Sequence, residues 1–271
     1  MILEYSFFYF PILIISIFFT IISKYLFERF SFGNDMLVGV QKIHSKKSSR
    51  LGSISILASI IISIFIFVND YSQIIRIFFC IFPIYFIALC EDIFGNIKII
   101  TRFIASLISS TLFIIIFNSS VSNLDSFILN QLLSISIIAY SFTIIGLMAT
   151  SNAWNFIDGV NGLSSGIAFF VLLTLSRLAS DTELNELSIF LIIISISVLG
   201  FWVVNVVTGK IFLGDSGSYT LGMLIAWSGV EISSRNDKIS SWTIFFLIIY
   251  PATEFIFSVI RRVFLKKSPF Y

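Results

Sequence analysis

Charge is what this chain has least of. Asp, Glu, Lys and Arg make up 12% of its 271 residues against 57% hydrophobic residues, and the mean hydropathy is +1.01. A soluble domain alternates polar and apolar faces, whereas here runs rich in Ile and Phe continue without that alternation. Cysteine is nearly absent too: Cys80 and Cys90 share one apolar run, where packing and not a disulfide is expected. Histidine occurs once, as His44, which alone reads more readily as a surface loop residue than as a catalyst. No basic n-region precedes the first apolar run and no small-residue cleavage site follows it, so no cleaved signal peptide is expected. No linker or low-complexity stretch divides residues 1–271, which read as a single integral-membrane domain.

What is present is a series of apolar runs of roughly 17–25 residues, the length that crosses a hydrocarbon core of about 30 Å. In lipid only helices and closed barrels satisfy the backbone, and runs this continuous mean helices. The expected fold is an all-α polytopic membrane protein with about nine spans, near 5–27, 51–68, 74–90, 103–118, 131–149, 163–180, 187–204, 217–232 and 240–260. Of the 17 Lys and Arg residues, one side of this topology keeps only Arg76, Arg177, Arg235 and Lys238. The other side is therefore cytoplasmic, with the N-terminus outside and the C-terminus inside. The net charge of +2 reflects this asymmetry and gives no reason to expect a nucleic-acid partner. Anchoring to anionic lipid accounts for most of these basic residues.

Four polar stretches, at Glu91-Asp92, residues 152–162, residues 214–217 and Glu254, all fall on the cytoplasmic side, a coincidence that random scatter over the loops would seldom produce. Glu91-Asp92 ends the third span, where acids oppose the helix dipole and call for a metal or a Lys such as Lys98 to relieve them. Within Asn152-Ala153-Trp154-Asn155-Phe156-Ile157-Asp158-Gly159-Val160-Asn161-Gly162, the residues Asn152, Asn155 and Asp158 would share one helix face, and the glycines permit a close approach to a ligand. Asp215, in Gly214-Asp215-Ser216-Gly217, reads either as a simple N-cap or as a carboxylate beside free helix N–H groups that favour phosphate. Mg²⁺, usually held by one or two carboxylates plus substrate phosphates, fits the second reading. Lys46, Lys47 and Arg50 read equally as lipid anchors or as neutralisers of a diphosphate. Glu254, inside the last span, is a functional candidate with Arg261 or Arg262 as partner, and Pro251 is expected to kink that helix.

In order, KKSSRLGSISI, EDIFGNIKIITRF, NAWNFIDGVNGL, FLGDSGSYTLG and RRVFLKKSPF resemble the polyprenyl-phosphate N-acetylhexosamine-1-phosphate transferases. That superfamily includes the enzymes that initiate O-antigen and teichoic acid and the translocase that makes lipid I. The resemblance implies Mg²⁺-dependent transfer (Mn²⁺ the alternative) of a HexNAc-1-phosphate from a UDP-N-acetylhexosamine to undecaprenyl or another polyprenyl phosphate. It places the protein in the bacterial cytoplasmic membrane, with its site on the cytoplasmic face. It makes Asp215 a metal ligand, and Asn155 and Asp158 binders of the uridine diphosphate or metal. Glu91 and Asp92 become the acidic pair that positions or deprotonates the nucleophile, with Asn152, Asn161 and Asn205 among the substrate-binding amides.

The chain departs from that family at Glu91 and Glu254, where aspartate is usual, and at Asn161, which replaces a frequent aspartate. The family also continues past RR…SPF into a histidine-rich loop and at least one further span, so a truncated form is expected here. Two rival readings are a catalytically inactive homologue and a transporter using the acids as an ion relay. Transporters favour repeats and broken helices near the midplane, whereas these acids sit at helix ends on one face.

Overall fold

The computed structural model describes residues 6–30, 49–236 and 239–266. Among them the chain is all-helical, with one isolated backbone bridge between Ser49 and Ile211. The order is α1 (Ser6–Phe30), α2 (Gly52–Phe67), α3 (Ser72–Phe94), α4 (Ile99–Phe117), α5 (Phe127–Leu133), α6 (Ser136–Ile157), α7 (Leu163–Asp181), α8 (Asn185–Thr208), α9 (Gly214–Arg235), α10 (Ser241–Leu247) and α11 (Ile249–Phe264).

Each expected span corresponds to a helix, and by length and composition alone fewer than nine of the described helices qualify to cross a bilayer. Six of the described helices are long and apolar enough: α1, α3, α4, α6, α7 and α8. Counting α10 and α11 as one bent span makes seven. Two helices account for the difference. Helix α2 has only 16 residues, short of the roughly 20 that a span needs. Helix α9 has 22 but is rich in Gly and Ser and carries Asp215 and Glu231. It tolerates that polarity because it meets protein and not lipid, being buried along nearly its whole length.

The last expected span is broken, with α10 and α11 meeting at 70°. Pro251 has no N–H for the Leu247 carbonyl and its ring crowds that oxygen, so the helix stops at Leu247 and restarts. Helix α6 instead runs further than 131–149, carrying Asn152 and Asn155 as helical residues to Ile157.

Helices α8 and α9 form the inner layer. Helix α8 packs against α7, α1 and α2, and α9 against α6, α3 and α7. Lipid tails are as apolar as Leu, so helices associate through close packing and buried hydrogen bonds. Accordingly the Ser16 hydroxyl donates to the Ser197 carbonyl at 2.5 Å, beside Gly200. Gly222 likewise brings α9 against α6, where a Cβ would stand 2.7 Å from that of Trp154. Trp227 packs against both Phe113 and Phe117, with ring centroids 4.7 and 4.6 Å away. Phe65, Phe79, Phe82 and Ile115 point outward from this core, as a lipid-facing surface requires.

Candidate active site

The end of α3 meets the beginning of α9. Both carboxylate oxygens of Asp92 are taken there: Oδ1 accepts the Asp215 N–H at 2.8 Å, and Oδ2 accepts the Ser216 N–H at 2.8 Å and its hydroxyl at 2.5 Å. The Ser53 hydroxyl adds a fourth group, 2.6 Å from that of Ser216. An acid is unfavourable at a helix C-terminus, but here the positive end of a second helix dipole lies against it. That dipole, with Arg50 Nε at 3.8 Å, supplies the relief expected from a metal or Lys98. The reading of α9 as a free phosphate-binding N-terminus is corrected by the same contacts, because Asp92 already occupies those N–H groups.

This junction requires Gly214. Its φ of +79° lies in the left-handed region, and a Cβ would stand 2.7 Å from Asp92 Oδ2 and collide with the Arg50 carbonyl. Gly214→Ala is therefore expected to lower the melting temperature by about 5 °C or more, a shift that thermal unfolding in detergent would show.

Asp215 stands one residue further into α9, its side chain 10% exposed. Its Oδ1 accepts Arg50 Nη2 at 2.7 Å and Asn155 Nδ2 at 3.2 Å, and Oδ2 accepts Arg102 Nη1. Three segments deliver these partners. Arg50 is fixed by backbone pairing of Ser49–Ser53 along Lys210–Leu213, including Phe212 N–H to Ser49 O at 2.7 Å. Arg102 comes from the first turn of α4 and Asn155 from the last turn of α6. Asn155 Nδ2 also donates to Ser218 Oγ at 2.9 Å, tying α6 to α9.

Asp158 follows α6 directly as its C-cap. Asp158 keeps part of its surface open, yet desolvation by the packed surroundings raises its carboxyl above the usual range, and the charges of Asp215 and Asp92 raise it further. Its folded pKa thus exceeds the unfolded value, so its contribution to stability is fully present below the unfolded pKa and lost as pH rises through the folded one. Asp158→Asn is accordingly expected to raise the melting temperature of the EDTA-treated protein at pH 7 by about 2–4 °C. The gain should disappear near pH 4, and thermal unfolding at the two pH values checks it.

The other candidate positions do different work. Glu91 accepts the Ile97 N–H at 2.7 Å and closes the α3–α4 turn. Asn152 turns back within α6 to donate to the Met148 carbonyl at 2.7 Å. Asn205, 2% exposed, donates to Asn161 Oδ1 at 3.0 Å and to the Ile211 carbonyl at 2.6 Å. These two amides tie the α6–α7 loop to the end of α8. Glu254 is exposed on α11 and makes no ion pair with Arg261 or Arg262 among the described residues, which corrects that pairing. The Arg262 guanidinium lies instead over the Phe156 ring, 5.6 Å from its centroid. Lys42, His44, Lys46 and Lys47 fall outside the described residues. Arg102, which sequence reasoning did not single out, pairs with Asp215 at the centre of this cluster.

No three His, Cys, Asp or Glu side chains among the described residues stand close enough to hold a metal alone. Mg²⁺ rarely needs such a cage, since one or two carboxylates, waters and substrate phosphates suffice. Asp215, with the Asn155 amide in contact and Asp158 near enough for their charges to interact, fits that sparser set.

Residues 74–233, more than half of the chain, match the family described as glycosyl transferase family 4. A probable undecaprenyl-phosphate N-acetylglucosaminyl 1-phosphate transferase of Bacillus subtilis (strain 168) is 35% identical over 138 residues, covering 48% of this chain and 37% of that protein. The undecaprenyl-phosphate alpha-N-acetylglucosaminyl 1-phosphate transferase of Thermotoga maritima is 33% identical over 129 residues, covering 48% and 38%. The chain thus spans little more than a third of the length of these two relatives. A phospho-N-acetylmuramoyl-pentapeptide-transferase of Staphylococcus saprophyticus is 26% identical over 269 residues, covering 90% of this chain and 82% of that protein.

Proposed function

Because the chain belongs to glycosyl transferase family 4, we propose that it transfers a sugar 1-phosphate from a nucleotide donor to a polyprenyl phosphate. The observation that carries this reading is the meeting of Asp215, Arg50, Arg102, Asn155 and Asp158 at one end of the helical bundle. In the finer form, the donor is a UDP-N-acetylhexosamine, the acceptor undecaprenyl phosphate, and the site faces the cytoplasm of a bacterial inner membrane. The names of the relatives support the lipid and the sugar phosphate. The distribution of Lys and Arg supports the orientation.

In the reaction an oxygen of the lipid phosphate attacks the β-phosphorus of the donor. The bond from that phosphorus to the bridging oxygen breaks, and UMP leaves with the electron pair. A phosphate monoester has a second pKa of about 6, so the nucleophile is mostly dianionic at pH 7 and needs no strong base. Catalysis then rests on alignment and on neutralising charge. Mg²⁺, when bound, would supply charge neutralisation at the diphosphate. Arg50 and Arg102 bring two guanidiniums whose forked donors suit phosphate oxygens. Asn155 orients Asp215, and Asp92 holds the start of α9 so that Asp215 faces them. With its side chain fully buried and both oxygens occupied, Asp92 acts as a positioning residue.

The test is the purified chain incubated with polyprenyl phosphate, Mg²⁺ and a UDP-N-acetylhexosamine labelled in the sugar. Equal yields of UMP and lipid-linked label are expected, both abolished by EDTA or by omitting the lipid. UMP formed without lipid-linked label, or label transferred without UMP, would refute the reading.

A further inference from the structure

We propose that Arg50 and Arg102 form an exchange clamp on Asp215: they hold it in the cation-free protein and move onto a diphosphate when one arrives, so that cation and diphosphate bind cooperatively. The inference rests on the nucleotide-donor reading above and adds a coupling which that reading does not require.

Three observations carry it. First, both carboxylate oxygens of Asp215 are engaged: Oδ1 accepts from Arg50 and Asn155, and Oδ2 from Arg102. A divalent cation approaching Asp215 therefore competes with two guanidiniums for its charge. Second, the nearest charges are paired. The two guanidiniums face Asp215 and Asp92, and Asp92 is further spent on the N-terminus of α9. A lone cation approaching Asp215 meets two guanidiniums already in contact with it. Third, Arg102 is incompletely matched: its Nε is buried with no acceptor among the described residues. A buried donor left unpaired is costly, and it marks where an acceptor oxygen is missing. A diphosphate resolves all three conditions together. Its oxygens accept from both guanidiniums and from the orphaned Nε, Asp215 is released toward the cation, and its negative charge offsets the added positive charge.

Linkage makes the coupling reciprocal: whatever factor the diphosphate adds to cation affinity, the cation adds to diphosphate affinity. The test uses the full chain in nanodiscs, with Mn²⁺ as the cation and UDP as the diphosphate. Free Mn²⁺ is read by its electron paramagnetic resonance signal and UDP binding by calorimetry, both corrected for Mn²⁺–UDP association without protein. Mn²⁺ should bind at least ~10-fold more tightly with UDP present, and UDP should gain the same factor from Mn²⁺. In Arg102→Met, Mn²⁺ alone should bind more tightly than in wild type while the coupling factor falls below ~3-fold. Arg50→Met reads the same clamp from its other arm if Arg102→Met fails to fold. Equal Mn²⁺ affinity with and without UDP in the wild type would overturn the clamp while leaving the donor reading intact. Absence of UDP binding under either condition would remove the donor reading and the clamp with it.

Discussion

Asp215→Asn should release UMP roughly 10²–10³-fold more slowly than wild type at saturating Mg²⁺. The substitution keeps the shape of the side chain but removes the charge that gathers Arg50, Arg102 and Asn155 at one point. An amide is a poor ligand for Mg²⁺, which prefers carboxylate and phosphate oxygens. Part of the effect is structural, because two guanidiniums lose their partner, and with Arg50 a third exposed that loss should amount to only about 1–2 kcal/mol. Activity and thermal unfolding measured on one preparation separate the two contributions. The account requires an activity loss far larger than the unfolded fraction explains. Wild-type rates in Asp215→Asn would remove Asp215 from the chemistry altogether.

The second large effect is expected at Asp92 and is opposite in kind. Asp92→Asn replaces one acceptor oxygen with an N–H₂ group that faces the N–H of either Asp215 or Ser216. Breaking a fully buried, fully bonded carboxylate costs about 3 kcal/mol, which for a chain of this size lowers the melting point by about 6–12 °C. Activity should fall with stability, and cooling should restore part of it. A general base held by the same bonds would lose the same stability, but its loss would also abolish the rate of every molecule that stays folded. Activity normalised to the folded fraction, with thermal unfolding read on the same preparation, therefore distinguishes positioning from proton transfer.

The sequence displayed the ingredients of this site more clearly than their pairing. The clusters around Asp92, Asp158 and Asp215 stood out because carboxylates, amides and glycines are conspicuous among long apolar runs. That Asp92 caps α9 was not legible, since the residues lie more than a hundred positions apart and only tertiary packing joins them. Arg102 was hidden for a related reason: a basic residue in the first turn of an apolar helix looks like any interfacial anchor until Asp215 is found beside it. Asn155 and Asn152 share a type and nearly a helix face, yet one reaches α9 while the other bonds its own helix. Spacing alone does not separate them.

The fold was legible at the level of helix order and obscured where burial replaces lipid. Helix α9 reads as a weak span because it is the inner helix, packed through Gly222 and capped by Asp92. The break before Pro251 was foreseen as a kink, whereas its 70° angle depends on how α11 packs against α6. Glu254 shows the opposite failure: an acid inside an apolar run suggested a buried site, and the bend leaves it exposed.

The most direct test of the central claim, that Asp215 is where cation and diphosphate meet, is the position of Mn²⁺ in crystals grown with UDP, read from its anomalous scattering. One peak in direct contact with an Asp215 oxygen and a UDP phosphate, with Arg102 turned from Asp215 onto the diphosphate, is the predicted result. A peak elsewhere, with Arg50 and Arg102 still paired to Asp215 and UDP bound, would contradict it.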